Sequence, residues 1–234
     1  MNGLDPRRPT RPTGGPADGF QELCAMRLGI YGGSFDPVHL GHLLVAESCR
    51  EQARLDRVLF VPAATPPHKQ GRRLAAAADR KAMLALAIGG QPAFEVVSAE
   101  LDRGGVSWTV DTLEALAAAH PTDSLHLILG PDAIAGLPTW RAPGRILELA
   151  TLLAVEREGL DDIGAVVTGQ PLLELLGAAK ARQIAADRVI CPAVGIRSTQ
   201  LRSAVAVGRS IRYRTPAAVE RYIATHELYR SPSQ

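Results

Sequence analysis

Arg27-Leu28-Gly29-Ile30-Tyr31, followed by Gly32-Gly33-Ser34-Phe35-Asp36-Pro37-Val38-His39-Leu40-Gly41-His42, is the stretch that decides the fold. A short β-type run empties into a pair of glycines, and helical spacing through Leu43, Leu44 and Cys49 carries the chain from Leu40 to Arg54. The order is strand, glycine turn, helix. It recurs as strand Arg57–Val61, helix Asp79–Ile88, strand Phe94–Val97, helix Val110–Ala119 and strand Leu125–Leu129. Repeated βα units predict an α/β domain built on a doubly wound parallel sheet, covered on both faces.

After Gly130 the spacing predicts short helices at Ala133–Leu137 and Gly144–Leu149 and a strand at Thr151–Val155. One helix is expected over Pro171–Ala186, a short strand at Val189–Ile190, and closing helices at Thr199–Val207 and Pro216–His226. Glu158–Gln170 carries no assignable pattern. Residues 1–25 are rich in Pro, Gly and Arg without apolar periodicity and read as a disordered tail, and 231–234 form a short tail, which leaves 26–230 as one domain.

Lys and Arg number 26 against 24 Asp and Glu, so a balance of +2 provides no general pull toward nucleic acid or acidic membranes. Any anion must be held locally. Cys24, Cys49 and Cys191 lack C-x-x-C spacing and read as free thiols of a reducing compartment, and no apolar run is long enough to span a bilayer. The expectation is a cytoplasmic protein with no membrane or nucleic-acid partner; a homo-oligomer is left open.

In an open parallel sheet, ligands bind beyond the carboxyl ends of the strands, where glycines and helix N-termini present backbone N–H groups to phosphate. The Gly32–His42 loop is placed there. His39 and His42 fall on one helix face near the positive end of its dipole, and Gly41 between them leaves room for a close neighbour such as a base or ribose. Asp36, preceding Pro37, reads as fixing the turn through its own backbone rather than as a metal ligand. Pro66-Pro67-His68-Lys69 follows the second strand and adds a cation. Ser198-Thr199-Gln200-Leu201-Arg202 opens a helix and reads either as a second anion site or as a plain N-cap. Gly130-Pro131-Asp132 and Trp140 pair a carboxylate with an aromatic ring, which suits a nucleotide, although Asp132 as a cap and Trp140 as core is the plainer alternative. At Trp108-Thr109 and Asp111 the plain reading is capping by Thr109.

Taken in order, these segments resemble bacterial nicotinate-nucleotide adenylyltransferases of the nucleotidyltransferase superfamily. The resemblance runs from Met26 to Leu228-Tyr229-Arg230 and includes Ser107-Trp108-Thr109 with Asp111-Thr112 and Pro138-Thr139-Trp140. It implies a Rossmann-like fold and a reaction in which nicotinate mononucleotide and ATP give nicotinate adenine dinucleotide and pyrophosphate, a step of NAD biosynthesis. His39, His42, Lys69 and Arg202 are then the catalytic candidates. ATP would meet Gly32, Gly33, Ser34, Phe35, His39, Gly41 and His42 from the first loop, and Gly130, Asp132, Ser198, Thr199 and Arg202 from the later ones. The mononucleotide would meet Ser34, His68, Lys69, Thr109, Asp132, Trp140 and Arg141. Mg²⁺ is implied as a cofactor carried on the ATP phosphates, with no protein ligands assigned. Arg197 and Trp108 depart from the usual pattern, where a serine and a tyrosine are common. The rival expectations are a phosphopantetheine- or CTP-using member of the superfamily, a class I aminoacyl-tRNA synthetase fragment, and a nucleotide-binding regulator without turnover.

Overall fold

The computed structural model describes residues 25–66 and 74–230; Pro67, His68, Lys69 and nearly all of the two expected tails lie outside them. Among the described residues six strands form one sheet: β1 (Arg27–Gly33), β2 (Arg57–Pro62), β3 (Phe94–Val96), β4 (Ser124–Leu129), β5 (Thr151–Arg157) and β6 (Val189–Cys191). They lie in the order β3-β2-β1-β4-β5-β6, and every pairing is parallel. The chain winds outward from β1 through β2 to β3, then crosses back to β4. The order of strands reverses between β1 and β4, which makes their carboxyl ends the switch point of the sheet.

The two-residue period of the strands sorts the core into two layers. Leu28 and Ile30, Leu59 and Val61, Leu125 and Leu127, and Leu152 and Ala154 face one layer. It is closed by α4 (Thr109–Ala119), α5 (Pro131–Gly136), α6 (Pro143–Leu149), α7 (Ile163–Thr168), α8 (Leu172–Leu176) and α9 (Ala178–Ala186). Val58, Phe60, Ile128, Leu153 and Val155 face the other layer, under α1 (Leu40–Gln52), α2 (Ala77–Ile88), α10 (Ser198–Ala206) and α11 (Ala217–Thr225). A five-residue α3 (Ala99–Arg103) links β3 to α4.

Three expectations change. The strand continues through Gly32 and Gly33, which pair with Val61 and Pro62 of β2, so the turn begins at Ser34. The helix expected over Pro171–Ala186 is two, broken at Gly177, whose φ of 73° lies in the left-handed region that glycine enters without steric cost. The unassigned stretch contains α7, capped by the Asp162 carboxylate accepting from the Ala165 N–H at 3.0 Å.

The free edge of β6 is partly occupied by a side chain. The Gln52 amide donates to the Ile190 carbonyl at 2.7 Å and accepts from the Ile190 N–H at 3.0 Å, satisfying edge groups that another strand could otherwise use. Cys49 and Cys191 are buried and unbridged, and burial with the neighbouring Cys191 pushes the Cys49 thiol up to about 12. Among the described residues no helix is long and apolar enough to cross a membrane.

Candidate active site

At the end of β1, Phe35 adopts φ 45°, an unfavourable region for a bulky residue, and is held there because its ring is driven into the core. The ring packs edge-on against Tyr31 at 5.6 Å and against His42 at 5.2 Å. Phe35 is therefore a wedge under the loop; a nucleotide could meet only its backbone. Beyond it the chain enters α1 with His39 as the N-cap. The His39 N–H donates to His42 Nδ1 at 3.2 Å, so the proton of a neutral His42 resides on Nε2 and the ring presents a donor. The two imidazoles stack at 3.7 Å. The neighbour admitted by Gly41 is the His39 ring itself, since a Cβ there would come 3.1 Å from His39 Nδ1.

His39 is 6 % exposed, and burial lowers its pKa from 6.5 to about 4. The folded chain binds fewer protons than the unfolded chain between those values, so stability rises with pH across that window. The contribution is fully present above about pH 6.5 and is lost as pH falls toward 4, amounting to about 3 kcal/mol. Urea unfolding of the protein and of His39→Asn at pH 7.5 and pH 5 checks this: the two should converge at the lower pH, and a constant difference would remove His39 as the source.

Asp36 does not bond its own backbone. It is fully buried, and its Oδ1 accepts from the Ala75 N–H at 3.2 Å and from the Tyr229 hydroxyl at 2.6 Å. Burial, and then the Asp36 charge, raise the Tyr229 pKa, so the phenol stays a donor. Arg202 donates to the Asp36 carbonyl at 2.6 Å and faces its Oδ2 at 3.6 Å. Ser198 donates its hydroxyl to the Pro37 carbonyl at 2.9 Å, and Thr215 donates to the Val38 carbonyl at 2.8 Å. The carboxyl-terminal segments are thus stitched onto the β1–α1 loop. The N-cap of α10 is Arg197, not Ser198 or Thr199, and Thr199 is exposed at the second helical position. Beside it a hollow of about 360 Å³ is lined by Thr199, Ser203, Arg209, Ser210 and Arg214.

Arg80 carries no local sequence motif. Its guanidinium, on a residue only 2 % exposed, donates to four carbonyls: Ala75 at 3.1 Å, Ser34 at 3.0 Å, Ala63 at 2.6 Å and Ala64 at 3.3 Å. It ties the loop after β1 to the loop after β2. Its sequence signal is a lone cation at a core-facing position of an amphipathic helix, and only the tertiary acceptors give that meaning.

The loop after β2 is also joined to the segment before α4. Ser107 Oγ accepts from the Ala64 N–H at 2.8 Å, and the Ser107 N–H donates to the Thr65 carbonyl at 3.0 Å. Trp108, not Thr109, is the N-cap of α4. Trp108 and Trp140 are both half-buried against the first core layer. Gly130 caps α5 at the end of β4, and Asp132 is exposed in the first turn without a side-chain capping bond. Arg141 lies over the Trp108 ring. Open space lies above Gly32 and Gly130, at the ends of the two strands that flank the switch point. Among the described residues no group of three or more His, Cys, Asp or Glu side chains could hold a metal ion.

Residues 30–204 match the family model described as cytidylyltransferase-like. A relative from Thermomicrobium roseum, named a probable nicotinate-nucleotide adenylyltransferase, is 44 % identical over 208 residues, 88 % of this chain and 92 % of that protein. One of the same name from Thermus thermophilus is 45 % identical over 205 residues, 88 % of this chain and all of its own length. The fold matches a solved Plasmodium falciparum nicotinic acid mononucleotide adenylyltransferase complexed with NaAD, with a TM-score of 0.67 at 17 % identity over 87 % of this chain and 97 % of that one.

Proposed function

The chain belongs to the cytidylyltransferase-like family of nucleotidyltransferases, and within it we propose that it condenses nicotinate mononucleotide with ATP to give nicotinate adenine dinucleotide and pyrophosphate. The observation that carries this reading is the docking of Ser198 and Arg202 onto the loop that presents His39 and His42, at the switch point of the sheet. Groups from distant parts of the chain thereby meet at one loop at the carboxyl edge of the sheet, the edge at which ligands of such folds bind.

The mononucleotide phosphate is already an anionic nucleophile at neutral pH, so no base is needed to activate it. It attacks the α-phosphorus of ATP in line, one P–O bond forms as another breaks, and pyrophosphate leaves with the electron pair. The protein's part is to position the reactants and neutralise charge. His42 Nε2 donates to the transferring phosphate, and Arg202 neutralises the departing charge. His39, kept neutral by burial, supports His42 through its stacked ring and its N–H. Gly32, Gly33, Ser34 and Gly130 line the approach with backbone, and Thr199 extends it along α10. Asp132 suits ribose hydroxyls, and Trp140 and Thr109 bound the pyridine end. His68 and Lys69 lie outside the described residues and keep the mononucleotide roles that the sequence resemblance implies. Mg²⁺ would be carried on the ATP phosphates, where it would neutralise their charge.

The test is pyrophosphate release on mixing the protein with ATP, Mg²⁺ and, in turn, nicotinate mononucleotide, nicotinamide mononucleotide and phosphopantetheine. Release dependent on a pyridine mononucleotide is expected. Release with phosphopantetheine alone would move the protein to another branch, and ATP binding without product would make it a regulator. Trp140→Ala should raise the KM for the mononucleotide about tenfold or more, as loss of a stacked aromatic contact does; an unchanged KM would leave Trp140 as core only.

A further inference from the structure

Tyr229 reaches the candidate site along a strained path that the reaction above leaves unexplained. Beyond α11 the chain passes through φ 50° at Glu227 and φ 64° at Tyr229, a left-handed region that bulky side chains rarely adopt. Such strain persists only where the surrounding structure over-determines it. Here the fixing contacts are the packing of Tyr229 against the second core layer and the 2.6 Å hydrogen bond from its hydroxyl to Asp36 Oδ1.

That bond decides how the carboxylate is engaged. Oδ1 takes both donors, Tyr229 and the Ala75 N–H, while Oδ2, on a side chain 1 % exposed, has no hydrogen-bond partner among the described residues. The nearby Arg80 is committed to its four carbonyls. Arg202 Nη1 stands 3.6 Å from Oδ2, outside hydrogen-bond range, and donates instead to the Asp36 carbonyl at 2.6 Å. A guanidinium and a carboxylate left to themselves close to about 2.7–2.9 Å, often through both oxygens. Tyr229 holds Oδ1 and draws on its charge, so the pair stays open, and the Arg202 side chain, 30 % exposed, retains donors of its planar fork for a further anion. We infer that Tyr229 is a positioning residue: acting through Asp36, its hydroxyl restrains the carboxylate from capturing Arg202 and so keeps the guanidinium available to the departing pyrophosphate. The inference rests on the adenylyl-transfer reading given above.

Tyr229→Phe keeps the ring and removes the donor. Its kcat should fall about tenfold, the worth of one hydrogen bond to a charged group, with the KM for the mononucleotide unchanged. A double-mutant cycle with Arg202→Met separates positioning from support of the fold. In that background Tyr229→Phe should lower kcat by less than about twofold, because no guanidinium remains to be captured, whereas a role confined to stability would repeat its loss. Asp36→Asn provides an independent arm: it keeps the shape and removes the charge, so adding Tyr229→Phe to it should also cost less than about twofold in kcat. Thermal melting of each variant accompanies the kinetics. Unchanged kcat in Tyr229→Phe, the same loss repeated in either background, or a Tyr229→Phe protein unfolded at the assay temperature would each overturn the inference. Wild-type protein that releases no pyrophosphate with any pyridine mononucleotide would instead sink the parent reading, and the inference with it.

Discussion

His42→Ala is expected to lower turnover by about a hundredfold or more, the loss seen when one preorganised donor to a transition state is removed. The size follows from how the ring is held. Its Nδ1 is engaged by the His39 N–H, its face is stacked on His39, and its edge meets Phe35, so the remaining nitrogen has one direction to point. A donor fixed before reaction needs no reorganisation as charge develops on the phosphate. The alanine variant also loses an acceptor at the start of α1, a deficit of about 1 kcal/mol that could blur the result. His42→Asn keeps an acceptor close to the position of Nδ1 without reaching as far as Nε2, and should be as stable as wild type yet nearly as slow as the alanine variant. Steady-state kinetics beside thermal melting of both variants decides it: wild-type turnover in either removes His42 from the chemistry.

Arg80→Met should cost about 3–5 kcal/mol, because four carbonyl acceptors lose a shared buried donor and each unsatisfied buried group costs about 1–3 kcal/mol before relaxation. Against a total stability of about 5–15 kcal/mol for a domain, that is a large fraction. The acceptors belong to separate segments: Ser34 after β1, Ala63 and Ala64 after β2, and Ala75 before α2. Methionine fills much of the volume but bonds none of them, and Arg80→Lys, with a single ammonium, cannot reach all four. Burial lowers the guanidinium pKa without threatening its charge at neutral pH. Urea unfolding gives the measurement. A change under about 1 kcal/mol would mean that water or relaxed loops satisfy those carbonyls. Turnover should fall too, since the loop carrying His39 and His42 would lose its anchor to the loop after β2.

The differences between Arg80 and the histidines show where sequence reading stops. His39 and His42 announce themselves by spacing, since residues three apart at the start of a helix lie on one side of it. Arg80 has no such local signature: its partners are backbone carbonyls, and any residue type supplies those. Asp36 has the signature of a local turn-former because it precedes proline, but its Oδ1 accepts from the Ala75 N–H and the Tyr229 hydroxyl, the latter 193 positions away. Phe35 groups with the nucleotide contacts by its place in the loop, but its ring is buried in the core and leaves only its backbone for that role. Ser198, which by sequence suits either an anion site or a plain N-cap, is the first residue of α10 and donates its hydroxyl to the Pro37 carbonyl.

What the sequence determined by itself was local: strands as short apolar runs, helices of 3.6-residue spacing, their βα succession, and the place of the Ser34–His42 loop between the first strand and the first helix. Those signals are local, because a few neighbouring residues decide which face of an element is buried. The strand order, the two-layer core, the stitching of Ser198, Arg202, Thr215 and Tyr229 onto one loop, and the clasp of Arg141 over Trp108 were decided only by the tertiary structure. Each depends on which distant groups the folded chain brings within hydrogen-bond or stacking range, and separation along the chain carries no trace of that proximity.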